Sequence, residues 1–139
     1  MLGKRPSIGV GTLVLNWDRE EILLYKRISS KKWGFPGGHL ERFESEIECS
    51  AWEMHEECGL LTDPSRHKVV AYINLFDKER GYHYFDIATF VEISDEEAKE
   101  IYNKADDEHT KMKLVHWNDY INMADTKSKP LFPTQYKLL

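Results

Sequence analysis

From Ile8 the chain alternates: Ile8, Val10, Thr12 and Val14 stand two apart, with smaller or outward residues between them. That period of two predicts a first strand. Asn16-Trp17-Asp18-Arg19-Glu20 is turn-like, and EILLYKR from Glu21 to Arg27 predicts its hairpin partner. A polar loop from Ser29 leads into a short extended stretch, Trp33-Gly34-Phe35-Pro36, ahead of Gly37-Gly38. The period then changes. Ile47, Ala51, Met54 and Cys58 recur at i, i+4, i+7 and i+11, the apolar stripe of a helix. Ser45 with Glu48 three residues on makes a capping box, and Gly59 makes a C-terminal stop. Residues 67–76 (HKVVAYINLF) and 82–93 (YHYFDIATFVEI) predict two more strands joined by a hairpin loop. Ser94 and Glu97 form a second capping box, opening a short helix to about residue 104. An acidic loop (106–108), a last strand (112–118), a helical turn (119–123) and a short helix or tail (130–139) complete the reading. Strands and helices mixed without regular βαβ alternation predict an α/β sandwich with a mixed sheet.

At 139 residues the chain is expected to form one domain, residues 1–139. Its 41% hydrophobic and 31% charged residues are ordinary for a soluble globular protein, and no run of about 18 apolar residues predicts a membrane span. The basic, apolar beginning weakly mimics a secretory signal, but its alternation favours a strand. Cys49 and Cys58, nine positions apart on the predicted helix, are about 13 Å apart along its axis. They cannot bridge, and neither sits in a metal-ligand spacing, so both read as small apolar residues of a reducing, cytoplasmic protein. A net charge of −5 without a polybasic run argues against binding duplex nucleic acid. Such a chain can still bind phosphates if a metal supplies the positive charge.

The predicted central helix carries Glu53, Glu56 and Glu57 within one turn, about 130° from the apolar stripe. Like charges at i, i+3 and i+4 repel by a few tenths of a kcal/mol per pair. Two readings follow: a solvated acidic face, or a carboxylate set for a hard cation such as Mg²⁺, which takes oxygen ligands. Pro36-Gly37-Gly38, a tight glycine turn open to close backbone approach, leads toward this helix.

At this point the sequence resembles the signature of the Nudix hydrolases, GX5EX7REUXEEXGU with U aliphatic. Gly38, Glu44, Glu53, Met54, Glu56, Glu57, Gly59 and Leu60 stand at the required offsets, eight of nine specified positions; Trp52 stands where the signature has Arg. The stretches RPSIGVGTLVLN, LLYKR, WGFPGGHLE and GYHYFDI look like those of MutT-like nucleoside triphosphate diphosphatases. The resemblance implies an α/β/α sandwich and Mg²⁺-dependent (or Mn²⁺-dependent) attack of water on a nucleoside diphosphate linkage. The expected reaction takes a nucleoside triphosphate to monophosphate and pyrophosphate. A nucleotide-sugar or ADP-ribose hydrolase, or a weakened nucleotide-binding domain, is the alternative.

Carried over by position, the resemblance implies that Glu53 and Glu57 bind metal. Glu56 would bind a second metal or activate water, the Gly38 carbonyl would be a further ligand, and Glu44 would stand behind them. Arg27 is a candidate phosphate clamp. His39, Asp86, Tyr84, Phe132 and Tyr136 are candidates to meet the base, and Asp107 or Glu108 to supply a late carboxylate. A homodimer is a family-based expectation. Two departures stand together: Trp52 cannot supply the charge of the missing Arg, and Phe43 replaces a Gly common just before the first Glu. Phe43 and Trp52 are expected to pack together, with Arg42 supplying the lost cation.

Overall fold

The computed structural model describes residues 5–105, 107, 109–124 and 131. Strands β1 (Ser7–Asn16) and β2 (Glu21–Arg27) form the predicted hairpin, followed by the short strands β3 (Trp33–Gly34) and β4 (Gly37–His39). Helix α1 (Glu46–Cys58) precedes a 3-10 turn at Pro64–Arg66 and the long hairpin β5 (Lys68–Asp77) and β6 (Tyr82–Ile93). Helix α2 (Asp95–Glu100), β7 (His109–His116) and α3 (Trp117–Ala124) follow. The seven strands form one mixed sheet: β1 runs parallel to β6 through ten pairs, from Ser7↔Tyr84 to Asn16↔Ile93, while the other pairings are antiparallel. The architecture is the expected α/β/α sandwich.

Alternation along β1 decides which helix covers which face. Val10, Thr12 and Val14 are buried toward α1, Val10 with Cys49 and Val14 with Met54 and Cys58. Leu13 and Leu15 point the other way, into a cluster with Ile22, Leu24 and Tyr120 of α3. Further back on this second face stand Gly9 and Gly11, whose missing side chains leave the sheet uncovered.

Both predicted capping boxes are present. Ser45 accepts from the Glu48 N–H and Ser94 from the Glu97 N–H, each reciprocated by the glutamate. Gly59 ends α1 in the left-handed region at φ 78°, where glycine carries no Cβ penalty. It also lies under the Tyr102 ring, which leaves no room for a side chain. The predicted continuation of α2 to about residue 104 is corrected: the helix stops at Glu100. The N–H groups of Tyr102 and Lys104 instead donate to the Cys58 and Glu57 carbonyls, satisfying the exposed end of α1. Strand β7 begins at His109, earlier than expected, because β2 templates it from Glu21↔His116 to Arg27↔His109. Leu131 is buried and bridges to Trp33. The rest of the predicted tail, with Phe132 and Tyr136, lies outside the described residues, as does Glu108.

Candidate active site

On the face left bare by Gly9 and Gly11 the sheet opens into a cleft of about 1210 Å³. Its lining includes Arg27, Gly38, His39, Glu53, Tyr84 and Asp86, drawn from β2, β4, α1 and β6, and Asp107 also reaches it. Residues up to 80 positions apart in sequence are thus brought to one place.

Three strands build the centre of the cleft. Gly9 of β1 pairs with His39 of β4 on one side and with Asp86 of β6 on the other, so the imidazole and the carboxylate flank a glycine. A Cβ at Gly9 would come within 2.7 Å of Asp86 Oδ1, so the side chain of Asp86 occupies space that only glycine leaves. Burial pushes the Asp86 carboxyl above its ordinary range, and the nearby His39 and Arg27 partly pull it back. Tyr84, two residues earlier on the same face, lies against Tyr82 with ring centroids 5.6 Å apart.

The glycine turn meets α1 at two points. A Cβ at Gly38 would collide with the Glu53 carboxylate, lying 2.5 Å from Oε1 and 2.7 Å from Oε2. One residue earlier, the Gly37 N–H donates to Glu57 Oε1 at 3.3 Å. Gly37 has no room for a side chain either, since a Cβ there would strike the Val10 carbonyl. The two glycines therefore let β4 lie directly on the acidic helix.

Glu53, Glu56 and Glu57 do not share one solvated face. Glu57 is only 4% exposed, Glu53 is half-buried, and Glu56 faces solvent. The buried face of α1 comprises Cys49, Ser50, Ala51, Met54, Glu57 and Cys58, so it is rotated from the predicted apolar stripe toward Ser50 and Glu57. Among the described residues, no three acidic, His or Cys side chains form a ready-made ligand cluster. The individual positions nevertheless suit a hard cation: a buried carboxylate steadied by a backbone N–H, and a second one pressed against the glycine that would offer its carbonyl. Glu53 and Gly38 line the cleft, Glu57 lies just behind it, and Glu56 stands outside.

The expectations for Trp52, Phe43 and Arg42 are overturned. Trp52 is 55% exposed and stacks on His55, 6.0 Å between centroids, one turn further along its own helix. Phe43 is 92% exposed, and its ring is covered by the Arg42 guanidinium at 4.8 Å. Among the described residues no ion pair joins Arg42 to Glu44 or Glu56. Glu44 instead accepts from the Glu41 N–H at 3.0 Å, closing the loop ahead of the helix. The physical reason lies in the backbone: Phe43 sits at φ 67°, in the left-handed region, which turns its side chain out into solvent. Since a Cβ at positive φ is strained whatever its size, Phe43→Gly should be about 1 kcal/mol more stable than Phe43→Ala. Paired thermal or urea denaturation checks this reversal of the usual order.

Sequence reasoning missed a buried polar cluster. Ser50 Oγ, on the inner face of α1, lies 2.7 Å from Thr12 Oγ1, 2.7 Å from Thr89 Oγ1 and 2.6 Å from His67 Nδ1. His67 Nε2 lies 2.7 Å from Thr62 Oγ1. The one available signal was Thr12, a polar residue in phase with the inward Val10 and Val14.

Comparison with known proteins agrees with this architecture. A family model described as NUDIX domain matches residues 5–135. A MutT NUDIX hydrolase from Burkholderia pseudomallei superposes with a TM-score of 0.75 at 22% identity, covering 97% of each chain. The NUDIX domain of Shewanella oneidensis NrtR, complexed with ADP ribose, gives 0.76 at 15% identity over 98% of this chain and 85% of that one. A bifunctional NMN adenylyltransferase/ADP ribose pyrophosphatase from Francisella tularensis, complexed with AMP and a Mn ion, gives 0.72 at 16% identity over 98% of this chain and 40% of that one. At these identities the structures establish a shared fold, while the family model spans nearly the whole sequence. With the family model spanning that much of the sequence, this chain belongs to the NUDIX domain family, and with it to a family of hydrolases acting on pyrophosphate bonds.

Proposed function

We propose that this protein is a Mg²⁺-dependent hydrolase, able to use Mn²⁺, that cleaves a nucleoside triphosphate to the monophosphate and pyrophosphate. The observation that carries the reading is the meeting of Gly38 and Glu53 at the edge of a cleft that also holds Arg27, His39 and Asp86. Phosphate and base ends of a nucleotide need opposite surroundings, and the cleft offers both. Glu53, Glu57 and the Gly38 carbonyl would hold the metal, with Glu56 serving a second ion or the attacking water. A divalent ion so held neutralises phosphate oxygens and lowers the pKa of bound water.

The chain's own groups do the rest. Gly37 fixes one oxygen of Glu57 by its N–H, so that carboxylate is oriented before substrate arrives. Arg27 would clamp a phosphate, a task suited to a planar, permanently charged guanidinium. Asp86 and His39, facing each other across Gly9, would read the edge of the base, Asp86 by accepting hydrogen bonds from a ring N–H and an amino group. Tyr84 offers a ring beside them.

A second reading, an ADP-ribose or nucleotide-sugar hydrolase, is favoured by the size of the cleft, which exceeds the common range of about 300–1,000 Å³ for small-molecule sites. A hydrolysis panel of nucleoside triphosphates, ADP-ribose and nucleotide sugars with Mg²⁺ or Mn²⁺ separates the readings. Pyrophosphate release from a triphosphate is expected. Faster cleavage of ADP-ribose or a nucleotide sugar selects the second reading, and no metal-dependent turnover on any of them removes both. In the same assay Trp52→Arg should raise kcat/KM roughly tenfold, because it restores a cation able to orient the carboxylates. Its melting temperature should hardly move, since Trp52 is more than half exposed.

A further inference from the structure

The polar cluster beneath α1 has a direction, and the direction can be worked out from its far end. Thr89 Oγ1 lies 3.3 Å from the Gly11 carbonyl oxygen, which can only accept, so Thr89 donates there and shares the same proton with Thr12 Oγ1 at 3.1 Å. Its proton being committed, Thr89 must accept from Ser50. Ser50 has then given away its only proton, so both Thr12 and His67 must donate to it. A neutral imidazole that donates from Nδ1 carries a lone pair on Nε2, which accepts from the Thr62 hydroxyl. With Thr89 as the one shared donor, to Gly11 and to Thr12, every contact receives a proton in a single arrangement. All five side chains are buried: Thr12, Ser50 and Thr89 at 0%, His67 at 2% and Thr62 at 5% exposure.

Its location gives the chain a consequence. Thr12 belongs to β1, Thr89 to β6, Ser50 to α1, and Thr62 and His67 to the segment following α1. Glu53 is three residues beyond Ser50, about 4.5 Å along the helix axis, and Glu57 is seven beyond, about 10.5 Å and nearly on the same line. Apolar neighbours such as Cys49, Met54 and Cys58 hold α1 down but tolerate small slides and rotations, because burial has no direction. Hydrogen bonds of 2.7 Å to each of two strands, with a third of 2.6 Å to His67, tolerate neither. On the strand side, Gly11, next to Thr12, pairs with Gly37, and the Pro36 carbonyl accepts from the Thr12 N–H at 2.7 Å. The cluster thus joins the helix that carries the carboxylates to the strand that places the glycine turn.

We infer that Ser50 and His67 are positioning residues: a one-way hydrogen-bond chain, Thr62 to His67 to Ser50 to Thr89, clamps α1 to β1 and β6 and sets where Glu53 and Glu57 meet Gly38 and Gly37. The inference rests on the reading of Glu53 and Glu57 as metal-holding groups.

Two measurements on the full chain test it. Nitrogen-15 NMR of the histidine rings at pH 7 should find His67 as the neutral Nδ1–H tautomer; an Nε2–H or doubly protonated ring overturns the chain. Calorimetric titration with Mn²⁺, without substrate, should show about tenfold weaker binding for Ser50→Ala, with kcat reduced by a similar factor and nucleotide KM within twofold of wild type. His67→Asn, which keeps an N–H close to the Nδ1 position, should retain more Mn²⁺ affinity than His67→Leu. Thr62→Val, which leaves the donation to Ser50 in place, should change it less than threefold. Wild-type Mn²⁺ affinity in folded Ser50→Ala overturns the positioning role while leaving the metal reading intact. A wild type that binds no Mn²⁺ removes the metal reading and the positioning role together. If Ser50→Ala does not fold, the order of the His67 variants and the tautomer still decide.

Discussion

Glu53→Gln is expected to lower metal-dependent turnover by about 100-fold or more while shifting the melting temperature by only a few degrees. The amide keeps the shape that fills the space left by Gly38, so the helix and the glycine turn should meet as before. What it loses is charge at the point where a divalent ion and an anionic substrate would come together, where one electrostatic group is typically worth 10²–10³ in rate. Stability has little to lose, since neutralising Glu53 also removes its repulsion with Glu56 and Glu57, a few tenths of a kcal/mol per pair. Steady-state kinetics at saturating Mg²⁺, beside a thermal melt, checks both halves. Activity within threefold of wild type would show that Glu53 holds no catalytic metal, and a collapse of the melting temperature would make the residue structural instead.

What was legible in the sequence was whatever depends on local chemistry. The capping boxes at Ser45 and Ser94 and the stop at Gly59 are written in side chains that act within one turn, and all three stand where expected. The glycine turn and the acidic helix were visible as a motif, and the motif carried the family. The misreadings share a different origin, in which distant backbone decides. Helix α2 is cut short because Tyr102 and Lys104 are needed to cap α1 at Cys58 and Glu57, far earlier in the chain. Glu57 is buried because β4 lies on that side of the helix, which no periodicity within α1 announces. Phe43 and Trp52 were expected to meet because both depart from the same pattern, yet a positive φ at Phe43 sends its side chain into solvent. Asp86 and His39 became partners only when β1 was laid parallel to β6 and antiparallel to β4, with a glycine between them.

Lowering the pH from 7 to 4 is expected to cost this fold about 3 kcal/mol through His67, most of it above pH 4.5, where a carboxylate whose pKa is depressed in the fold contributes little. Burial, with the neighbouring Arg66, holds the His67 pKa down to about 4, against 6.5 for the free side chain. The sign follows from which state takes the proton. Above pH 6.5 both the native and the unfolded histidine are neutral, and the group is indifferent. Between 6.5 and 4 the unfolded chain binds a proton that the native protein refuses, so stability falls steadily, by about 2 kcal/mol at pH 5 and about 3 at pH 4. The Arg66–Glu97 pair, at 2.8 and 2.9 Å, acts lower on the scale: Glu97 is depressed to about 2 from 4.5, so its contribution persists down to about pH 4.5 and is lost below it. Asp86 works against the trend, since a carboxyl raised in the native state takes its proton there first and so stabilises the fold on acidification. Melting temperatures measured from pH 7 to 4 should therefore drop by roughly 10 °C, with most of the slope in the histidine window. In His67→Asn that slope should vanish while the steeper loss below pH 4.5 remains, because an amide next to Ser50 has no proton to gain. An unchanged slope in the variant would assign the acid sensitivity to other groups.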